Sequence, residues 1–247
     1  MCSFGKLRDD DESWPEIRAV LDSWPQYRYL DSGAFTLLER GHATRSEVAR
    51  LFDEYVAFLK AHLADFHFVF DLDLDRLNVG GRPGVELTEE HRQVLRSVAG
   101  DKLIPVWHPI AGRRVWESLA REFPYLAIGE DNVPWTDARM AERVSYAHEH
   151  GVLVHALGTA KLDLLHAVPY DTCDVTTWLS PIRFGSYGGV DYPPPPGKRY
   201  TEKHLRFEEK VRELGYDPAT LREEHATTEK LEVAIALLQE RQLEVNR

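Results

Sequence analysis

Asp31, Asp71, His108, Gly129, Glu130, His155 and Asp174 share one placement: each stands at or near the end of a short apolar run. Asp31 closes "YRYLD" (27–31) and Asp71 closes "FHFVFD" (66–71). His108 follows "LIPVW" (103–107), and Gly129-Glu130 closes "YLAIG" (125–129). His155 lies in "VLVHAL" (152–157), which Gly158 follows, and Asp174 lies in "DTCDVTTWL" (171–179). Carboxylates and imidazoles move protons, attack as nucleophiles and ligate metals. A glycine such as Gly33, two residues after Asp31, lets another group approach the backbone closely. Each residue also has a plain structural use. Asp31 can cap a turn with Gly33 at positive φ, and His155 can be a satisfied core histidine. Glu130 can pair with an arginine, and Asp174 can be a hydrogen-bond acceptor among threonines. Asp73 and Asp75, in "FDLDLD", read as an exposed acidic loop. Recurrence at the end of nearly every run favours a shared site.

The runs are rich in Val, Ile, Phe and Tyr, as strands buried on both faces are. Helical patterns lie between them, at 46–63 with Ser46 as N-cap, 88–99, 113–122, 136–150 and 160–167. Alternating strand and helix implies parallel βαβ units. No Gly-x-Gly-x-x-Gly follows the first run and no Gly-Lys-Ser/Thr occurs, which disfavours a nucleotide-binding open sheet. The expected fold is α/β, a TIM-like (β/α) barrel with reduced or incomplete N-terminal strands. Six strands are visible, or seven if "MCSF" is the stub of another. In a barrel all C-terminal strand ends meet on one face, where active sites sit. The barrel is expected over 1–190. Residues 191–200 hold four consecutive prolines and form a stiff connector. Residues 201–247 form a helical extension, with helices at 201–214 and 218–243.

The formal net charge of −11 means that a polyanion would be met through a local basic patch or a partner, not the overall field. Two cysteines, Cys2 and Cys173, make no framework and no Cys-x-x-Cys pair, which fits a reduced, cytoplasmic setting. No run of about 18 apolar residues predicts a membrane span, and the N-terminus has no signal-peptide apolar region.

Several of these segments, in order, resemble tRNA-guanine transglycosylases. "LDSGAF" is similar to that family's Asp-Ser-Gly-Gly-Phe/Tyr motif, and "FDLD" stands where it has Phe-Asp-Glu. "PVWHP" stands where it has a strand ending in Gln-Gly, and "YLAIGE" is similar to its Leu-Ala-Val-Gly-Glu. "HALGTAKLDLLHAV" is similar to its Met-Gly-Val-Gly-Thr-Pro-Glu-Asp-Leu-Leu segment, and "TCDVTTWLSPIRFG" stands where it has the nucleophilic Asp and a loop with Arg and Gly. The resemblance spans about residues 28–185. It is closer still to the short members, often phage-encoded, that insert 7-deazaguanines into DNA.

The resemblance implies a transglycosylase that exchanges guanine for a 7-deazaguanine through an Asp-linked glycosyl-enzyme ester, without a cofactor. It assigns Asp174 as nucleophile and Asp31 as general acid/base. Asp71 would read the base through its N–H donors, and His108 would replace the Gln that holds the base carbonyl. Gly129 N–H would touch the base, with Glu130 supporting that loop. His155 stands where the family has a Met that stacks on the base. Arg183 would meet a phosphate, while Ser32, Gly33, Phe35 and Trp178 would line the pocket. The target nucleotide must leave any duplex to enter such a site. The tRNA enzymes carry a zinc site of three Cys and one His after the nucleophile. This chain has no cysteine after Cys173, so that zinc site is not expected, and DNA is favoured over tRNA. A homodimer or a partner subunit is a further expectation. Two alternatives stand beside this reading. One is a non-catalytic transglycosylase-like subunit, which the retention of both Asp31 and Asp174 disfavours. The other is a metal-dependent hydrolase using Asp71, Asp73, His108 and His155, which the lack of a His-x-His pair disfavours.

Overall fold

The computed structural model describes residues 2–7, 14–23, 27–129, 138–158, 162–174, 186–187, 190–223, 228–230 and 232–237. The chain divides into two units, Met1–Asp174 and Val175–Arg247. The first unit runs β1 (Cys2–Ser3), α1 (Phe4–Leu7), α2 (Trp14–Ser23), β2 (Tyr29–Asp31), α3 (Phe35–Arg40), α4 (Arg45–His62) and β3 (Phe68–Phe70). A hairpin follows, β4 (Asn78–Val79) with β5 (Arg82–Pro83), and then α5 (Gly84–Ala99), β6 (Leu103–Ile104), β7 (Val106–Trp107) and α6 (Arg113–Glu122). The unit ends with β8 (Tyr125–Ile128), α7 (Ala138–Glu149), β9 (Leu153–Ala156), α8 (Leu162–Ala167) and β10 (Thr172–Cys173). The fold is mixed α/β with parallel sheets. Among the described residues, no helix is long and apolar enough to cross a membrane.

The sheet order is sequential. β1-β2-β3-β6 form one parallel set and β7-β8-β9-β10 another. "LIPVW", expected as one strand, is two, because Pro105 between them has no N–H to give the ladder. Its carbonyl still accepts Ala127 N–H at 2.9 Å, so the two sets remain joined through one stretch of chain.

Side chains alternate between two cores, as period two requires. Leu30, Val69, Leu103, Trp107, Leu126, Ile128 and Val154 face the helices. Phe70, Ile104, Val106, Tyr125 and Ala127 face the other way, with Tyr29 and Phe68 beside them. This inner face is rolled. On a flat sheet, β2 and β8 would lie ~14 Å apart and β2 and β9 ~19 Å apart. Yet the Tyr29 ring is centred 6.5 Å from Tyr125 and 5.9 Å from His155.

The helix starts differ in places from expectation. α4 is capped by Thr44, not Ser46: Thr44 Oγ1 accepts Glu47 N–H at 3.2 Å, and Glu47 accepts Thr44 N–H at 2.8 Å. That reciprocal box satisfies two otherwise free donors, which Ser46 inside the first turn cannot do. Its buried stripe is Val48, Leu51, Tyr55 and Leu59. α2 was not expected; Ile17 and Leu21 pack its inner side on the main core.

In the second unit, β11 (Ser186–Tyr187) and β12 (Val190–Asp191) form an antiparallel hairpin, followed by α9 (Glu202–Glu213). Tyr187, Tyr192, Phe207, Val211, Leu221 and Val233 make its core, so residue 190, the expected boundary, lies within this unit. The helix expected over 218–243 is interrupted: Thr220–Arg222 is a 3₁₀ turn, and helix is described at 228–230 and 232–237.

Candidate active site

The inner-face alternation runs to the end of β2 and one step past β7, β8 and β10, and reaches the residues singled out above. Tyr29 is followed on the same face by Asp31, Val106 by His108, Ala127 by Gly129, and Thr172 by Asp174. The C-terminal edge of the sheet therefore carries the candidate acids and imidazoles.

Asp31 ends β2 opposite Ser3 of β1. Its Oδ2 accepts the Ser3 hydroxyl at 2.8 Å and the Gly33 N–H at 3.2 Å. Burial pushes its carboxyl up to about 6. The Ser3 and Gly33 donors pull it down, while the charges of Asp73 and Asp174 add to the rise. Gly33 itself has φ +79°, and a Cβ there would lie 2.6 Å from Gly5 N and 2.7 Å from Gly5 Cα. The room that this glycine leaves is thus filled by the backbone of α1. The close approach expected at Gly33 is made by the protein's own chain. Ser32 is fully buried, and its hydroxyl has no hydrogen-bond partner among the described residues. Phe35, in the first turn of α3, is 61% exposed.

The acidic run Asp71–Asp75 is buried, contrary to the exposed loop expected for Asp73 and Asp75. The cause is a stripe on α5. Gly84, Thr88 and Arg92, four residues apart, share one buried face. A Cβ on Gly84 would lie 1.7 Å from Leu74 O, so the helix touches the loop directly. Thr88 Oγ1 accepts Leu74 N–H at 2.9 Å and also bonds Asp75, whose carboxyl burial raises. Arg92 Nε donates to Asp71 Oδ2 at 2.7 Å, and Val106 N–H donates to Asp71 Oδ1 at 2.9 Å. Burial drives Asp71 up to about 6 against the pull of Arg92. Burial also works against the Arg92 charge, but Asp71 and Glu89 more than offset that and raise the guanidinium. Both oxygens of Asp71, the expected reader of the base, are thus engaged inside the protein.

Two carboxylate–imidazole pairs complete the edge. His108 Nε2 lies 2.8 Å from Asp73 Oδ2, with His108 buried. Gly129 lies under this ring: a Cβ there would stand 2.2 Å from His108 Cε1. The Gly129 N–H, expected to touch a base, donates instead to Trp107 O at 2.9 Å as a ladder bond. On the other side, His155 Nε2 lies 3.0 Å from Asp174 Oδ1, which also accepts Gly158 N–H at 2.8 Å. His155 is buried against Tyr29 and Phe70, so its ring packs on the protein's aromatics and not on an open surface.

Asp31, Asp73, His108, His155 and Asp174 thus gather at one edge, with Asp73 and Asp174 close enough to act electrostatically on Asp31. Glu130, Trp178 and Arg183 lie outside the described residues. Sequence reasoning undervalued Asp73 and missed Arg92, Ser3 and Thr172. The four-residue spacing of Gly84, Thr88 and Arg92 was the available signal for Arg92 and for the burial of Asp73. Among the described residues, no three His, Cys, Asp or Glu side chains are grouped as a metal would require. Comparison of the chain with protein-family models, with curated proteins and with solved structures finds no match.

Proposed function

We propose that the chain is a transglycosylase that exchanges guanine for a 7-deazaguanine in a nucleic acid, DNA before tRNA, on a (β/α) barrel. The sequential parallel order and the rolled inner face support the barrel. One observation carries the chemistry. Two acids at the same sheet edge have unlike surroundings: burial raises Asp31 to about 6, while Asp174 Oδ1 accepts Gly158 N–H and lies 3.0 Å from the His155 ring nitrogen. Pairs of acids set apart in this way divide the labour of glycosyl transfer.

In this reading Asp174 Oδ2 attacks the anomeric carbon as the bond to the guanine nitrogen breaks. Asp31, protonated, gives its proton to the leaving base. The incoming 7-deazaguanine then attacks the same carbon, the ester C–O bond breaks and Asp174 is a carboxylate again. The proton that the incoming base loses returns to Asp31, so the cycle closes without net proton change. Asp174→Ala tests it. Exchange of labelled guanine into single-stranded guanine-containing DNA is expected to fall to background, because no ester can form. Exchange by this variant at a near wild-type rate rejects the assignment.

A further inference from the structure

His155 sits in a chain of hydroxyls that the proposed chemistry does not use. Tyr29 Oη lies 3.3 Å from Tyr125 Oη, and Tyr125 Oη is hydrogen-bonded to Thr172 Oγ1. Thr172 Oγ1 lies 2.6 Å from His155 Nδ1, and His155 Nε2 lies 3.0 Å from Asp174 Oδ1. The chain crosses the inner face from β2 to β8, β10 and β9, and ends on the acid at the edge. We infer that Tyr29, Tyr125 and Thr172 form a hydroxyl relay that holds His155 in its Nε2–H tautomer, and that His155 is a positioning residue for Asp174.

The direction follows from donor counting. Asp174 as a carboxylate has only acceptors, so the nitrogen facing it must carry hydrogen. A neutral imidazole has one N–H, so Nδ1 is then bare and needs a donor. The hydroxyl at 2.6 Å is Thr172, which donates its one hydrogen to Nδ1. Its oxygen is left to accept from Tyr125, whose oxygen in turn accepts from Tyr29. Every hydroxyl points the same way, towards Asp174. For the neutral ring, the reverse order would aim the Nε2 lone pair at the carboxylate, which is repulsive. Both contacts to Asp174 among the described residues fall on Oδ1, so the carboxylate is turned with Oδ2 free of them. Thr172 stands in register with His155 across β10 and β9, so strand pairing fixes the donor.

The relay is tested on the protein alone by two-bond proton–nitrogen correlation of the His155 ring. The expected wild-type pattern is the Nε2–H tautomer. Thr172→Val keeps a β-branched shape in the strand but removes the donor, and should give a mixed or Nδ1–H pattern; Thr172→Ser should restore the original. An Nδ1–H wild type, or a Thr172→Val spectrum like wild type, overturns the inference. The link to catalysis rests on the transglycosylase reading and is judged separately. With labelled guanine and single-stranded DNA, Thr172→Val should lower kcat about 10- to 100-fold with KM little changed, a smaller loss than the ~10⁴ seen when a catalytic histidine is held in the wrong tautomer. Unchanged kcat overturns the positioning role. A wild type without exchange rejects the transglycosylase reading, and the nitrogen spectrum still decides the relay.

Discussion

Asp31 and Asp71 stand at the ends of neighbouring parallel strands, and burial lifts both carboxyls to about 6. Their neighbours differ. Asp71 gives one oxygen to Arg92 and the other to Val106 N–H. Asp31 has two neutral donors, both on Oδ2, and among the described residues no cation pairs with it. A raised pKa alone therefore does not separate a working acid from a structural one. Where each oxygen is bonded differs between them, and in the proposed reaction that difference makes Asp31 the working acid. Asp71 ties β3, β7 and α5 together, whereas both hydrogen bonds to Asp31 among the described residues fall on Oδ2.

The widest gap between the two should appear in turnover. Asp31→Asn keeps the shape and the acceptor for Ser3 and Gly33, but cannot cycle a proton. Base exchange is expected to fall by a factor on the order of 10² to 10⁴ with the fold intact, the usual weight of a general acid–base group. Circular dichroism and the guanine-exchange assay check both halves. Unchanged turnover across pH would make Asp31 a turn residue and erase the distinction.

Stability should respond most on the other side. Arg92→Met leaves the Asp71 charge buried beside Val106 N–H alone. Breaking such a pair costs about 3–5 kcal/mol. Chemical denaturation at pH 7.5 measures the loss, and the deficit should shrink towards pH 5 as Asp71 takes up a proton. A cost below about 1 kcal/mol at pH 7.5 would mean that Arg92 is not what allows the acidic run to be buried.

The contrast was half legible in the sequence. Apolar runs with Asp31, His108, His155 and Asp174 at or near their ends suffice to put those residues at one sheet edge, because parallel strands share a direction. Arg92 was hidden because it lies 21 residues from Asp71, in a polar stretch, "TEEHRQ", whose outer positions are solvated. Gly33 marked a close backbone approach but not the partner, and Gly5 is supplied by a segment too short to carry its own periodicity. Pro105 was visible, yet its effect depends on a ladder that only pairing reveals. The hydroxyl relay was out of reach for a similar reason. Tyr29, Tyr125 and Thr172 look like ordinary strand residues until the sheet rolls and brings them together.

The smallest expected effect is on the pH dependence of stability, and it follows from Asp31 alone. Its folded pKa of about 6 lies above its ordinary 3.8. A carboxyl raised in this way binds its proton more tightly when folded. Its contribution is fully present below about pH 3.8 and is lost as pH rises through 6. The full shift corresponds to about 3 kcal/mol, an upper bound because part of Asp31 stays open to solvent. Asp31→Asn cannot ionise and escapes that loss. At pH 4 its Tm should be near wild type. At pH 7.5 the variant should be the more stable by about 1–3 kcal/mol, or roughly 2–10 °C for a chain of this size. Thermal denaturation of both proteins at the two pH values measures the difference. A variant less stable than wild type at pH 7.5 would mean that ionised Asp31 is a net support of the fold, as a structural acid would be. Greater stability together with lost turnover would mark Asp31 as an acid kept at a cost for its chemistry.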